Sequence, residues 1–226
     1  MYDQSSNFQV KEISRLNSLG EIEKDKFVFP DATVHPSLYN QNRVKQLIST
    51  QREVGGVVQQ EKKISFQTYN TNQILPSKIE ENFLASGFTE VVKINSYDSF
   101  GNIREIVQVN GVPITIIWGH GGKKMVLKVE GATYSQVLSA LGGSISFLGT
   151  GGKNFSATQI SSLRSNAGLS GSLITHYEFG SVYGLTKIGD PNGYNATFEY
   201  GIFGRLYRQR DHDGNLIQEL RYNIKN

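Results

Sequence analysis

The chain has 226 residues and is close to neutral, with 23 lysines and arginines against 20 aspartates and glutamates. The basic residues are spread along the sequence, so a nucleic-acid-binding face is not expected. The absence of cysteine excludes disulfides, thiolate metal sites and cysteine nucleophiles. The sequence contains no run of about 18 apolar residues, so no membrane-spanning segment is predicted. The 24 glycines, 11 tyrosines and 12 phenylalanines favour a mainly β protein of many short strands joined by turns.

Residues 1–90 alternate weakly between apolar and polar side chains, which is typical of half-buried strands. The strand candidates are Phe8–Ile13, Glu21–Phe29, Val44–Thr50, Val57–Tyr69 and Ile79–Leu84. Gly55-Gly56 lies between two of them and predicts a hairpin tip. Pro30, Pro36 and Pro76 are expected to break strands or lie at their edges.

A repeat of aromatic residues and glycines begins in the next section, residues 91–131, and returns near the C-terminus. In both copies one glycine follows the tyrosine after four residues and a second after fourteen. The copies run through Tyr97, Gly101, Asn110-Gly111 and Trp118, and through Tyr200, Gly204, Asp213-Gly214 and Tyr222. Asn-Gly and Asp-Gly predict two-residue hairpin turns in which both central residues take positive φ. A fixed period of this kind predicts a repetitive β-architecture.

Residues 132–170 interrupt the strands with two helix signals. Thr133 with Gln136, and Ser156 with Gln159, have the spacing of capping boxes. Each box is followed by an apolar stripe at helical spacing: Tyr134, Val137, Leu138 and Leu141 before Gly142-Gly143, then Ile160, Leu163 and Ala167 before Gly168. We expect two short helices that cover the open end or a face of a sheet, with a partner-binding helix as the alternative.

Strands resume in residues 171–226, at Leu173–Phe179, Leu185–Ile188, Thr197–Tyr200, Leu206–Arg210 and Leu216–Tyr222. Two degenerate copies of the repeat accompany the regular ones. One contains the turn Asp190-Pro191-Asn192-Gly193, in which proline presets one φ and glycine relieves the last. The other opens at Tyr2-Asp3, with Ser6 in place of the first glycine and Gly20 at a later turn.

These motifs resemble the tyrosine-aspartate (YD) repeats of the RHS and teneurin-like family, of the type common in Bacteroidetes. The resemblance covers about Val91 to Asn226 and is most specific in the final hairpins. It is carried there by Asp190-Pro191-Asn192-Gly193, Phe198-Glu199-Tyr200, Phe203-Gly204-Arg205-Leu206, Asp211-His212-Asp213-Gly214-Asn215 and Tyr222 to Asn226. It implies a mainly β fold, an antiparallel meander of stacked hairpins forming a curved sheet or part of a shell, with a short two-helix insertion.

The resemblance also implies a non-enzymatic role without a cofactor. The chain is expected to be a structural segment of a large secreted or cell-surface protein whose export signal lies outside it. Expected partners are upstream repeats of the same polypeptide and either an encapsulated cargo polypeptide, as in polymorphic toxins, or surface glycans. Some family members cleave themselves through aspartates, but the turn at Asp190-Pro191 lacks the flanking proline and second spaced aspartate, so a plain hairpin turn is expected.

Two other functional hypotheses rest on individual side chains. His35, His120, His176 and His212 show no zinc-ligand spacing and are expected to be exposed and non-catalytic. The aromatic residues near turns predict a ligand contact in an alternative role as a carbohydrate- or protein-binding surface module. Core packing is the competing explanation for such residues. The four candidates are Trp118, Tyr183, Tyr194 and Tyr207.

Overall fold

The computed structural model describes residues 2–3, 9–149, 153–180 and 184–222. Strands dominate this part of the chain. They are β1 (Tyr2–Asp3), β2 (Gln9–Val10), β3 (Glu12–Leu16), β4 (Ile22–Val28), β5 (Ser49–Val54), β6 (Val57–Tyr69), β7 (Gln73–Phe83), β8 (Thr89–Tyr97), β9 (Ile103–Gln108), β10 (Pro113–Gly119), β11 (Lys124–Glu130), β12 (Leu173–Phe179), β13 (Leu185–Gly189), β14 (Asn195–Tyr200), β15 (Leu206–Arg210) and β16 (Leu216–Glu219). The α-helices are α1 (Pro36–Asn40), α2 (Tyr134–Ala140) and α3 (Ala157–Ser165).

Each strand from β4 to β16 pairs with the strand before it in the chain. Together with β3 they form a 14-stranded sheet in sequential order, while β1 pairs separately with β2. Within the described residues the order is open, with β3 and β16 as its edge strands. This confirms the predicted mainly β antiparallel meander with a short helical insertion. The chain divides into two compact units, Met1–Asn95 with Val107–Asn110, and Ser96–Ile106 with Gly111–Asn226.

In the first unit, the hairpin tip predicted at Gly55-Gly56 is confirmed. Val54 pairs with Val57, and the two glycines between them have φ of 58° and 83°. Positive φ at both central residues is the geometry of a type I′ turn, whose twist matches that of the flanking strands. Glycine adopts it without the steric cost that a Cβ would add.

The prolines of the first unit only partly follow the prediction. Pro30 lies just beyond β4, but Pro36 opens α1 at a position where its missing N–H costs no helical hydrogen bond. Pro76 lies inside β7 next to a bulge, because Ser65 and Phe66 of β6 pair with Lys78 and Pro76 and leave Ser77 as an extra residue. A bulge disrupts the ladder locally and thus tolerates a residue without an N–H.

Ion pairs join neighbouring strands among β3–β7 of the first unit. Glu23 on β4 contacts Arg15 of β3 at 2.8 Å and Arg52 of β5 at 3.3 Å. Opposite charges on adjacent strands stabilise a sheet by cross-strand pairing. Among the described residues of this unit, few large aliphatic side chains are buried: Leu38, Ile48 and Ile94.

The second unit has a contiguous hydrophobic core under the two predicted helices. Both capping boxes are present, with Thr133 accepting from the N–H of Gln136 and Ser156 from that of Gln159. Val137 of α2 and Leu163 of α3 are fully buried in one cluster with side chains of β10, β11 and β12. The expectation that these helices cover a sheet face is therefore confirmed.

Candidate functional site

Five-residue turns with a shared hydrogen-bonding scheme join many of the strands. In the turn at Asp211–Asn215, the N–H of Asp211 donates to the carbonyl of Asn215, and the N–H of Gly214 donates back to the carbonyl of Asp211. The carboxylate of Asp211 accepts the N–H of Asn215 at 2.8 Å. The same backbone pattern occurs at Asn17–Glu21, Asp98–Asn102, Asp190–Tyr194 and Gly201–Arg205.

The prediction of two-residue turns at Asn110-Gly111 and Asp213-Gly214, with both central residues at positive φ, is wrong. Only the glycines take positive φ, 76° at Gly111 and 82° at Gly214. Asp213 instead lies third in a five-residue turn, where its N–H donates to the carboxylate of Asp211. An aspartate that begins such a turn satisfies backbone donors locally, an arrangement that favours a longer loop than Asp-Gly alone suggests.

Aromatic hydrogen-bond donors provide a second recurring contact. The hydroxyl of Tyr200 donates to the carbonyl of Leu185 at 2.8 Å, and that of Tyr222 to the carbonyl of Leu206 at 2.9 Å. The indole Nε1 of Trp118 donates to the carbonyl of Ile103 at 2.8 Å. Leu206 and Ile103 directly follow the closing residues of five-residue turns, Arg205 and Asn102. Leu185 follows Gly184, whose carbonyl accepts the N–H of Gly180. The Trp118 indole thus makes the same kind of hydrogen bond to a backbone carbonyl as the tyrosines of the other copies.

A cleft of 380 Å³ opens where two of the turns lie side by side. The β13–β14 hairpin and the β15–β16 hairpin turn at the same end of their sheet, which places Asp190–Tyr194 beside Asp211–Asn215. The cleft has an apolar part and a polar part. It is lined by Ile188, Ala196 and Ile217, and by Asp190, Tyr194, Asn195, Asp211, His212 and Asp213.

Tyr194 and His212 meet edge to face in this cleft. Their ring centroids are 5.3 Å apart with an interplanar angle of 88°, and the Tyr194 side chain remains 61% exposed. The N–H of Asn195 donates to Nδ1 of His212 at 3.2 Å. This bond leaves Nε2 as the protonated nitrogen of a neutral ring.

Hydrogen bonds hold the acidic groups of the cleft in their turns. The amide side chain of Asn215, together with backbone N–H groups of the turn, lowers the pKa of Asp211, because these donors favour the charged carboxylate. Asp190 accepts the N–H of Tyr194 at 2.8 Å. Arg164 of α3 also binds this turn, because its guanidinium donates to the carbonyls of Asp190 and Pro191.

The four aromatic ligand candidates differ in exposure and in the contacts of their rings. Trp118 is half-buried and its N–H is engaged. Tyr207 is 37% exposed, with the Arg208 guanidinium 4.4 Å from its ring centroid. Tyr183 lies outside the described residues. Among the three described candidates, Tyr194 is the one that combines an exposed ring with a cleft. Ligand contact at these positions stays a prediction.

The expectation of exposed histidines is wrong for His176 and holds fully only for His212. His176 on β12 is 6% exposed, and Gly189 of β13 pairs with it. A Cβ at Gly189 would lie 1.9 Å from the His176 ring, so only glycine leaves room for it. Burial lowers the pKa of His176, assisted by the charges of Lys187 and Arg164 and opposed by that of Glu178.

Nothing in the described part of the chain has the grouping of side chains needed to hold a metal ion. In that same part, every helix is too short or too polar to cross a membrane. The features that the sequence did not indicate are the pairing of Tyr194 with His212 and the acidic groups around them. The motifs themselves were visible in the sequence, but their adjacency depends on strand register.

The geometry defines a β-repeat protein built from hairpins with five-residue turns. No family model matches the sequence, and a comparison with curated proteins gives no match. Among solved structures, the crystal structures of TcdB2-TccC3 and of TcdB2-TccC3-Cdc42 align with it at 8% identity and a TM-score of 0.41. The alignments cover 94% of this chain but only 13% and 12% of the respective solved chains.

Proposed function

We propose that the chain is a structural segment of a larger RHS-like repeat protein, in which its sheet is continued by other repeats of the same polypeptide. The observation that carries the proposal is the recurrence of one turn and one aromatic contact. Trp118 and Tyr222 each donate to the carbonyl that follows a five-residue turn, and Tyr200 donates to the carbonyl of Leu185, which follows Gly184. Repeats that contact chiefly their neighbours form arrays whose stability comes from repeated interfaces.

The polar groups of the turns also support a structural role. The carboxylates of Asp98, Asp190 and Asp211 accept backbone N–H groups of their own turns. Side chains used in this way serve the backbone and are poorly placed for proton transfer to a substrate. We therefore propose a non-enzymatic role and no self-cleavage at Asp190-Pro191.

The edge strands indicate where other repeats would attach. In the described residues β3 pairs only with β4, and β16 only with β15. A strand at the edge of a sheet presents unpaired N–H and C=O groups to any segment able to pair with them. In this proposal the upstream repeats pair with β3. The complete protein is secreted or displayed at the cell surface, where its wall encloses a cargo polypeptide or presents an adhesive surface.

Hydrogen exchange tests the proposed continuation of the sheet. The chain is compared with a longer polypeptide that includes the sequence preceding it in its gene. We expect the outward-facing amides of residues 13–16 in β3 to become protected in the longer polypeptide, and the denaturant midpoint to rise, because each added repeat contributes an interface.

Strands β10 and β11 provide the internal control, because both of their neighbours are already present. Their exchange should be the same in both polypeptides. Unchanged exchange of β3 in the longer polypeptide, or a preceding sequence without repeats, would contradict the proposal.

A further inference from the structure

Cations lie over aromatic rings at several places in this protein. The guanidinium carbon of Arg208 is 4.4 Å from the ring centroid of Tyr207, and that of Arg205 is 5.2 Å from Tyr222. Arg104 over Tyr134 and Lys124 over Phe179 repeat the arrangement at 4.6 and 5.3 Å. A cation within about 6 Å of a ring centroid is attracted by the negative face of the ring.

Tyr194 differs from these aromatic residues. Its side chain is 61% exposed, and in the described part of the chain no lysine or arginine lies over its ring. Its ring instead contacts His212, edge to face. The surrounding cleft is lined by Asp190, Asp211 and Asp213. An exposed ring among acidic groups has the composition of a site for a positively charged ligand.

The basic residues near the cleft are already engaged. Arg164 donates to the carbonyls of Asp190, Pro191 and Ile174. Arg210 forms an ion pair with Glu199 at 2.7 Å and donates to the carbonyl of Gly214. Three aspartates therefore line the cleft, and the carboxylates of Asp190 and Asp211 accept hydrogen bonds within their own turns. The two nearby guanidinium groups are directed to other partners. Charge complementarity favours a cation over an anion or a neutral sugar.

We propose that the Tyr194–His212 cleft binds an arginine side chain of a partner polypeptide. The planar guanidinium stacks on the exposed Tyr194 ring, as guanidinium groups do on aromatic faces more readily than ammonium groups. The exposed carboxylate of Asp213 balances its charge. The aliphatic stem lies against the apolar part of the cleft, Ile188, Ala196 and Ile217.

The cleft has this chemistry whether or not the sheet continues into further repeats, so it can be tested on the chain alone. The probes are N-acetyl-arginine amide and its neutral analogue N-acetyl-citrulline amide, titrated into the ¹⁵N-labelled chain and followed by amide chemical shifts. We expect shifts of residues 193–196 and 211–214. The arginine probe should bind about fivefold more tightly than citrulline, a factor consistent with one exposed cation–π contact and one surface ion pair.

Three variants assign the contacts. Tyr194→Leu keeps an apolar side chain and should reduce the preference for arginine to the part that Asp213 contributes, whereas Tyr194→Phe keeps the ring and should retain the full preference. Asp213→Asn should weaken arginine binding roughly threefold, as the loss of one exposed ion pair predicts. Tyr207→Leu is the matched control, because that ring is already covered by Arg208, and it should leave the titration unchanged.

Equal binding of the two probes would overturn the proposal, as would an arginine preference that is undiminished in Tyr194→Leu. A neutral oligosaccharide, maltohexaose, is titrated in parallel. Saturable shifts of the same amides by maltohexaose without shifts by the arginine probe would assign the cleft to glycans and likewise overturn it. Neither result alters the exchange test of the sheet, so the two proposals fail separately.

Discussion

Replacement of Gly189 by alanine tests the packing of the buried histidine in the second unit. Gly189 pairs with His176 across β12 and β13, and an added Cβ would lie 1.9 Å from Cε1 and 2.3 Å from Nδ1 of that ring. Real Cβ atoms essentially never approach other atoms more closely than 3.0 Å. The ring must therefore move or the strands must separate.

The cost should reach the range measured for overpacked cores. His176 is only 6% exposed, so its ring has little free space into which to retreat. Gly189 does not have positive φ, and the alanine adds no backbone strain of that kind. Inserting an extra carbon into a well-packed site costs about 1–3 kcal/mol, and we expect Gly189→Ala to lie in the upper half of this range.

Equilibrium unfolding in urea provides the measurement, with the fluorescence of the single tryptophan, Trp118, as the probe. Trp118 belongs to the same unit as Gly189. Gly201→Ala is the matched control: Gly201 also lacks positive φ, and its added Cβ would meet nothing closer than 3.9 Å. That change should alter the free energy of unfolding by less than about 0.5 kcal/mol.

A double variant shows whether the cost arises at the ring. His176→Ala removes the ring, so adding Gly189→Ala to it should cost at least about 1 kcal/mol less than in the natural chain. The reasoning is refuted if Gly189→Ala is no more destabilising than Gly201→Ala. It is also refuted if the two changes at residues 176 and 189 are additive.

Two further predictions concern single polar groups. The folded pKa of His176 lies below the ordinary value of 6.5, so its neutral form contributes stability that is present above pH 6.5 and lost as pH falls toward the folded pKa. His176→Phe should therefore reduce the slope of the unfolding free energy against pH on the acid side by up to about 1.4 kcal/mol per pH unit. An unchanged slope would contradict this prediction. Tyr200→Phe removes the hydrogen bond to the Leu185 carbonyl and should lower the free energy of unfolding in urea by about 1 kcal/mol. Tyr194→Phe, at an exposed ring, should lower it by less than about 0.5 kcal/mol. Equal losses would contradict a stabilising role for the recurrent hydrogen bond.

The elements best predicted from sequence are those whose determinants lie within a few residues. The capping boxes of α2 and α3 join side chains and N–H groups three residues apart, so Thr133 with Gln136 was sufficient to place a helix start. Gly55-Gly56 likewise fixed a hairpin tip through its own φ angles. By contrast, Pro76 lies inside β7 beside a bulge at Ser77, and this bulge is defined by the pairing with β6, which the sequence around Pro76 does not contain.

The candidate cleft could be predicted only in part. Tyr194 was chosen because it lies near a turn, but its pairing with His212 joins separate hairpins and follows from the register of β13 to β16. A shift of one residue in a strand reverses the direction of its side chains, and sequence patterns do not fix the register of polar strands.

The sequence by itself determined the strand-rich composition, the helix starts and the recurrence of turns, because each depends on local φ preferences and hydrogen bonds between near neighbours. Tertiary structure decided which side chains meet. It placed the ring of His176 over Gly189, and it brought the acidic turns together around Tyr194. These contacts join different strands, and their energies depend on burial and register that no local motif specifies.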